Sequence, residues 1–305
     1  GIDVVAIVTP NHLHYAIAES FLSKGIHVIC DKPLTHNLED AENFHKVVSS
    51  SNALFALTHN YTGYPMVRQA REMFRNGEIG ELRIIQVEYA QDWLTLPIEK
   101  DGQKQASWRT DPSKAGMGGS IGDIGSHAYN LADFITGAKL EELCADISSF
   151  VPGRKNDDNA HVLLRYANNA KGMLWSSQVA PGNENALRIR VYGEKGGLSW
   201  EQENPNYLTV DIFGKAKKII RRAGNESSDI GNRVTRIPPG HPEGYLEGFA
   251  NIYADFAKQI SAFQNSQKPD EELLLVPTID DGLKGVKFIT SVVESGSNGG
   301  KWIKF

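Results

Sequence analysis

The feature that most restricts the fold lies at the start of the chain. Val4-Val5-Ala6-Ile7-Val8 is a continuous, mostly β-branched run that stops at Thr9-Pro10-Asn11, and helical periodicity follows from about Leu13 to Lys24. Gly25 closes that helix in the position where the backbone turns left-handed, and Ile26-His27-Val28-Ile29-Cys30 is a second apolar run. Strand, helix and strand at this spacing make a βαβ unit, which commits the chain to a parallel sheet with helices on its faces. Runs with no polar alternation are strands buried on both sides. On open sheets of this kind ligands bind beyond the carboxyl ends of the strands. Those ends carry Thr9-Pro10-Asn11-His12-Leu13-His14 and Asp31-Lys32-Pro33. After a helix near Leu38 to Ser50, Leu54-Phe55-Ala56-Leu57-Thr58 adds a third strand and brings Asn60 to the same edge.

A helix from Pro65 to Arg75 ends at Asn76-Gly77, and beyond Gly80 the pattern changes. Leu82 to Tyr89 is a long β segment, and Trp93 to Lys114 is polar and irregular. Leu140 to Phe150, Ala160 to Tyr166, Gly172 to Val179, Leu187 to Tyr192 and Gly197 to Glu201 are then consecutive strands on short turns. The expected fold is α/β plus α+β: a parallel sheet with helices on its faces, then a domain with an open, mainly antiparallel sheet covered by helices on one face. The change of pattern puts the boundary between 1–79 and 80–305. Lys217 to Arg236 reads as surface loop with an edge strand. Helices are predicted from Pro242 to about Phe263 and from Thr278 to about Ser295, and Trp302 to Phe305 can add a strand. The stripe Tyr245, Leu246, Phe249, Ile252, Tyr253, Phe256 and Ile260 reads as core.

The chemistry concentrates in Gly118-Gly119-Ser120-Ile121-Gly122-Asp123-Ile124-Gly125-Ser126-His127. If this run is helical, Asp123 and His127 share one face. A carboxylate beside an imidazole can position a hydroxyl and take its proton near neutral pH. Lys32 adds a fixed positive charge where an alkoxide develops. The plainer reading makes Asp123 a helix cap and His127 a core hydrogen-bonding residue.

Composition narrows the partners. Net charge is −5 and no basic stripe interleaved with aromatics occurs, which argues against nucleic acid and anionic membrane. No apolar run reaches the roughly 18 to 20 residues that span a bilayer, so a cytoplasmic protein is expected. The two cysteines, Cys30 and Cys144, have neither metal-ligand nor redox spacing and are expected to be free thiols. A metal-dependent hydrolase built on His12, His14, Asp123 and His127 is a rival reading. It is weakened because residues two apart at a helix start diverge.

Together, Val8-Thr9-Pro10-Asn11 with His14, Asp31-Lys32-Pro33, Ser107-Trp108-Arg109, and Gly119 through His127 followed by Gly137 resemble the Gfo/Idh/MocA oxidoreductase family, the glucose-fructose oxidoreductase and inositol dehydrogenase group. Gly240-His241-Pro242-Glu243-Gly244-Tyr245 resembles members acting on cyclic polyols and sugars, such as levoglucosan dehydrogenases. The resemblance implies a partial Rossmann dinucleotide-binding domain at 1–79, lacking its first phosphate-binding half, and a substrate-binding and oligomerisation domain at 80–305, in a dehydrogenase using NAD or NADP and acting on a secondary hydroxyl of a sugar, anhydrosugar or cyclic polyol. It implies that Lys32, Asp123 and His127 are catalytic, with His127 the base. Thr9, Pro10, Asn11, His14, Asp31, Lys32, Pro33, Asn60, Trp108 and Arg109 become candidates for cofactor binding. Lys32, Tyr89, Gln91, Asp123, His127, Gln178 and His241 become candidates for the substrate wall, with no metal site. Asp31 stands where the family usually shows Glu, one methylene longer. His27, His36, His45, His59 and His161 are read as structural or surface residues.

A homodimer or homotetramer through the open sheet is also implied. Some relatives use bound NAD transiently during glycoside cleavage, so an NAD-dependent glycoside hydrolase is the alternative within the family. No Gly-x-Gly-x-x-Gly precedes the first strand. The chain starts about 70 residues after a Rossmann domain of two halves would begin, which leads to the expectation that this stretch alone binds dinucleotide poorly.

Overall fold

The computed structural model describes residues 1–305. Strand β1 (Val4–Ile7), β2 (His27–Cys30) and β3 (Phe55–Leu57) form a three-stranded parallel sheet in that order. Helices α1 (His14–Leu22) and α2 (Leu38–Ser50) make the crossovers. The Asn37 side chain caps α2 by accepting from the Asp40 N–H at 2.7 Å. Helix α3 (Pro65–Arg75) leads out of this unit into β4 (Leu82–Ala90).

The irregular stretch after β4 contains the short helices α4 (Lys104–Arg109) and α5 (Pro112–Ala115). A π-turn over Ile121–Gly125 runs directly into α6 (Ser126–Thr136), which stops at Gly137 with φ of 60°. Strands β5 (Leu140–Ser148), β6 (Asn159–Tyr166), β7 (Lys171–Ser177), β8 (Ala186–Gly193), β9 (Gly196–Glu201), β10 (Tyr207–Ile212) and β11 (Lys218–Arg221) follow. Then come α7 (Asp229–Arg233), α8 (Tyr245–Gln264), α9 (Ile279–Ser297) and β12 (Ile303–Lys304).

The second sheet has nine strands in the order β11-β10-β9-β8-β4-β7-β6-β5-β12. Strand β4 is inserted between β7 and β8, parallel to the first and antiparallel to the second. Every other pairing in this sheet is antiparallel. Along β6 and β8 burial alternates residue by residue, so one face is packed and the other is open. The packed face shares the main core with α3, α6 and α9 through residues such as Val67, Leu131 and Phe288.

The C-terminal helices return to the first sheet. Ile279 and Val286 of α9 join its core on one face, and Ile252, Phe256 and Ile260 of α8 cover Ile29 and Ala56 on the other. The apolar stripe of α8 is therefore split. Its inner residues Ile252, Phe256 and Ile260 are core, whereas Tyr245, Leu246 and Tyr253 are exposed and Phe249 is half-buried. A buried ion cluster ties these parts together. Asp255 of α8 accepts from Arg68 of α3 at 2.8 Å and from Arg233 of α7 at 2.8 Å, with Arg68 and Asp255 almost wholly buried.

Candidate active site

Beyond the carboxyl end of β2, the Asp31 carboxylate accepts from the Lys32 N–H at 2.9 Å and from the Thr58 hydroxyl at 2.7 Å, which links two strand ends. The Lys32–Pro33 peptide bond is cis. From this turn the Lys32 side chain reaches the other sheet. Its Nζ lies 3.0 Å from Asp123 Oδ1 and also donates to the Asp123 backbone carbonyl.

The turn that meets it depends on close backbone approach. A Cβ on Gly119 would lie 2.0 Å from the Asp157 carbonyl oxygen, so no larger residue fits there. The buried Asp157 carboxylate accepts from the Gly119 N–H (2.6 Å), the Ile121 N–H (2.8 Å) and the Ser120 hydroxyl (2.9 Å), satisfying donors that the start of a helix leaves free. The next residues form a π-turn rather than the ordinary helix expected, a geometry common at functional sites. Asp123 lies within this turn and His127 at the start of α6.

Asp123 has both oxygens engaged. Oδ1 takes Lys32, while Oδ2 takes Gln178 Nε2 at 2.8 Å and faces Arg109 Nε at 3.4 Å. Burial opposes its ionisation, but the Lys32 and Arg109 charges and the Lys32 and Gln178 hydrogen bonds outweigh that and hold the carboxyl at about 2. Arg109 is itself stacked over the Trp108 ring, 4.2 Å from its centroid.

His127 is deeply enclosed. Its ring meets Tyr61 edge to face at 4.9 Å and His59 at 5.5 Å, and Nδ1 has no hydrogen-bond partner. Burial, then the Lys32 charge, then His59 push it well below the usual imidazole range. His127 is therefore a neutral imidazole at physiological pH. His59, read from sequence as structural or surface, is wholly buried beside it and is lowered to about 3 by burial and by Lys32.

These groups share a cavity of about 540 Å³ between the two sheets, lined by Asp31, Lys32, Asn60, Arg109, Asp123 and His127 among others. Tyr89 and Gln91 line it too, at the end of β4. A larger concavity of about 770 Å³ lies on the open face of the nine-stranded sheet and contains none of these residues.

The remaining candidates fall elsewhere. His14 is fully buried, with Nδ1 3.0 Å from the Pro33 carbonyl and Nε2 2.8 Å from that of Thr9; it pins two strand ends together and does not face the cavity. Asn11 is buried and donates to the Ala115 carbonyl at 2.9 Å. Pro10 caps the 3-10 turn Asn11–Leu13, and the Thr9 hydroxyl oxygen is buried without a partner. Trp108 and Pro33 support the cavity without lining it, and Gln178 acts on Asp123 from behind.

His241 is exposed and does not line the cavity; its carbonyl accepts from Arg222 at 2.6 Å. The His241–Tyr245 segment contributes Tyr245 instead, which lines the cavity with Phe249, although both were expected to be core. No three His, Cys, Asp or Glu side chains converge to hold a metal, and His12 and His14 diverge as their spacing implies.

Sequence reasoning missed Tyr61, Asn185 and Asp157. Asp157 could have been suspected from the acidic Asn156-Asp157-Asp158-Asn159 run, since a buried aspartate usually caps something. Nothing local marks Asn185.

Two residues at the strand ends, Asn60 lining the cavity and Thr9 outside its lining, fit a nicotinamide dinucleotide. The Thr9 Oγ1 and Asn60 Nδ2 atoms are buried, unpaired and located at the strand ends where such a ligand lies. Comparison with known proteins points to the same class of cofactor. Residues 1–61 match the oxidoreductase family with an NAD-binding Rossmann fold, and residues 67–199 match the GFO/IDH/MocA C-terminal domain. An oxidoreductase from Sinorhizobium meliloti of known structure is 56% identical with a TM-score of 0.89, covering 100% of this chain and 80% of its own. An inositol dehydrogenase homologue from Azotobacter vinelandii, crystallised with NADH and myo-inositol, is 32% identical with a TM-score of 0.90 over 100% of this chain and 78% of its own. Levoglucosan dehydrogenase from Pseudarthrobacter phenanthrenivorans is 28% identical over 80% of this chain and 64% of the relative. The chain belongs to the Gfo/Idh/MocA family of NAD-binding oxidoreductases.

Proposed function

We propose that the protein oxidises a secondary hydroxyl of a sugar, anhydrosugar or cyclic polyol, using a nicotinamide dinucleotide. The observation that carries this reading is the 3.0 Å Lys32–Asp123 pair, which joins the parallel sheet to the π-turn above a cavity that His127 also lines. A neutral imidazole, a fixed cation and a cofactor edge around one cavity suit removal of a hydroxyl proton and a carbinol hydride from neighbouring atoms.

The hydroxyl proton passes to His127, whose lowered basicity keeps it ready to accept at neutral pH. The Lys32 ammonium stabilises the negative charge that develops on the oxygen. Asp123 fixes Lys32 in place, since both of its oxygens are engaged. Thr9, Asp31 and Asn60 would hold the cofactor, which supplies the acceptor for the hydride leaving the carbon. The Azotobacter relative with NADH and myo-inositol, and the levoglucosan dehydrogenase, support the substrate class.

No helix is long and apolar enough to cross a membrane, and both cysteines are free, which supports a cytoplasmic setting. The open face of the nine-stranded sheet exposes Ile84, Leu163, Met173 and Tyr192, which supports pairing of subunits there. The test is a panel of sugars and cyclic polyols assayed with NAD and with NADP at the nicotinamide absorbance. Reduction of the cofactor by at least one polyol is expected. Release of a sugar from a glycoside without net reduction would replace this reading with the hydrolytic one.

A further inference from the structure

The cavity wall opposite the cofactor edge is built from β4, the loop between β7 and β8, and the first turn of α8. On that wall an ordered chain of hydrogen bonds fixes one amide. Tyr61 and Tyr89 hydroxyls meet at 2.5 Å, and the Tyr89 hydroxyl donates to Asn185 Oδ1 at 2.8 Å. Gln91 Nε2 donates to the same oxygen at 2.6 Å. The Asn185 backbone N–H donates to the Glu203 carboxylate at 2.9 Å, which holds the loop in place.

With its oxygen filled by two donors, the Asn185 side chain has only its amide N–H groups left to offer. No protein acceptor takes them, and the residue lines the cavity. Its partner Tyr89, and Tyr61 behind that, are almost wholly buried, so the amide is backed by core and cannot turn without leaving the Tyr89 hydroxyl without its acceptor.

We infer that Asn185 is a specificity-determining residue, whose amide nitrogen donates to a hydroxyl or ring oxygen of the substrate remote from the carbon being oxidised. The inference rests on the dehydrogenase reading and names which part of a polyol the site recognises. A site built to hydrogen-bond a particular oxygen discriminates against analogues that lack it, because its own donor is then left unpaired.

The experiment uses glucose, myo-inositol and levoglucosan, with the monodeoxy analogues of whichever is turned over fastest. Asn185→Asp keeps an oxygen for Tyr89 and Gln91 and withdraws the donor. Asn185→Ser withdraws it without adding charge and serves as the companion variant. For the parent substrate both should raise KM about three- to tenfold, the size of one lost hydrogen bond, with kcat within about twofold. For one monodeoxy analogue the variants and the wild type should be indistinguishable, a pattern that general damage to the wall cannot produce. An unchanged KM for the parent, or the same rise for every analogue, would overturn the inference while leaving the dehydrogenase reading intact. A wild-type enzyme inactive on every sugar and polyol would remove both.

Discussion

Asp123→Asn isolates the electrostatic joint between the two halves of the site. The Asp123 carboxyl titrates at about 2 in the fold against 3.8 ordinarily, because Lys32 and Arg109 together outweigh the opposing effect of burial. The difference is nearly two decades in proton affinity, and at about 1.36 kcal/mol per decade it amounts to about 2 kcal/mol in favour of the folded state. The side chain is only 20% exposed, so solvent screening removes little of that. Because the folded value is the depressed one, the stabilisation is complete above the ordinary value and is lost as pH falls toward the folded one. The amide variant has no charge to lose. Urea unfolding of both proteins, followed by tryptophan fluorescence, should therefore show the variant less stable by about 2 kcal/mol at pH 7 and by about 1 kcal/mol at pH 3, the two becoming equal only below about pH 2. Other carboxylates titrate in both proteins and largely cancel in the difference. A gap that stays constant from pH 7 to pH 3, or no gap at pH 7, would refute the assignment of Asp123 as the ionised anchor of Lys32.

Replacing His127 with Ala should lower turnover by about 100-fold or more with the circular dichroism spectrum unchanged, and a near-wild-type rate would defeat the base assignment. Since burial and the Lys32 charge hold His127 well below the usual range, the acid limb of the kcat/KM profile should fall well under pH 6.5; a limb centred between pH 6 and 7 would contradict this. Asp255→Ala leaves the fully buried Arg68 without its counter-ion and should destabilise the protein by about 3 to 5 kcal/mol, read from urea midpoints. A loss below about 1 kcal/mol would show that the cluster is dispensable. Leu163 and Met173 are paired on adjacent strands and about half exposed, so Leu163→Arg with Met173→Arg should convert an oligomer to monomer in light scattering; a monomeric wild type would refute the interface.

Local patterns carried the first sheet. The apolar runs around Val5, Val28 and Ala56, broken by a helix stop at Gly25, point to parallel strands buried on both sides, which β2 and β3 are, whereas β1 at the edge of the sheet leaves Val4 and Val8 exposed. The approach of Lys32 to Asp123 was legible for a related reason, because a strand end and a glycine-rich turn are where backbone constraints aim side chains. What stayed hidden was non-local. Periodicity on α8 identifies an apolar face but not that Tyr245 at its start is exposed and lines the cavity. His12 and His14 follow the same strand, yet His14 is buried with its ring between the Pro33 and Thr9 carbonyls. The place of β4 between β7 and β8 has no signature in its own residues, since strand order is decided by partners far along the chain.

That placement of β4 has a consequence for how the polypeptide reaches its native form. Gln86 must wait for Met173, 87 residues later, and Tyr89 for Asn185, 96 residues later, before either edge of the strand is covered. A ribosome adding about 5 to 20 residues per second leaves this apolar ribbon bare for several seconds during synthesis. Delayed pairing at such sequence separations slows collapse to the native topology and favours association between nascent copies, which ties the yield of soluble enzyme to the temperature of expression and to chaperone supply.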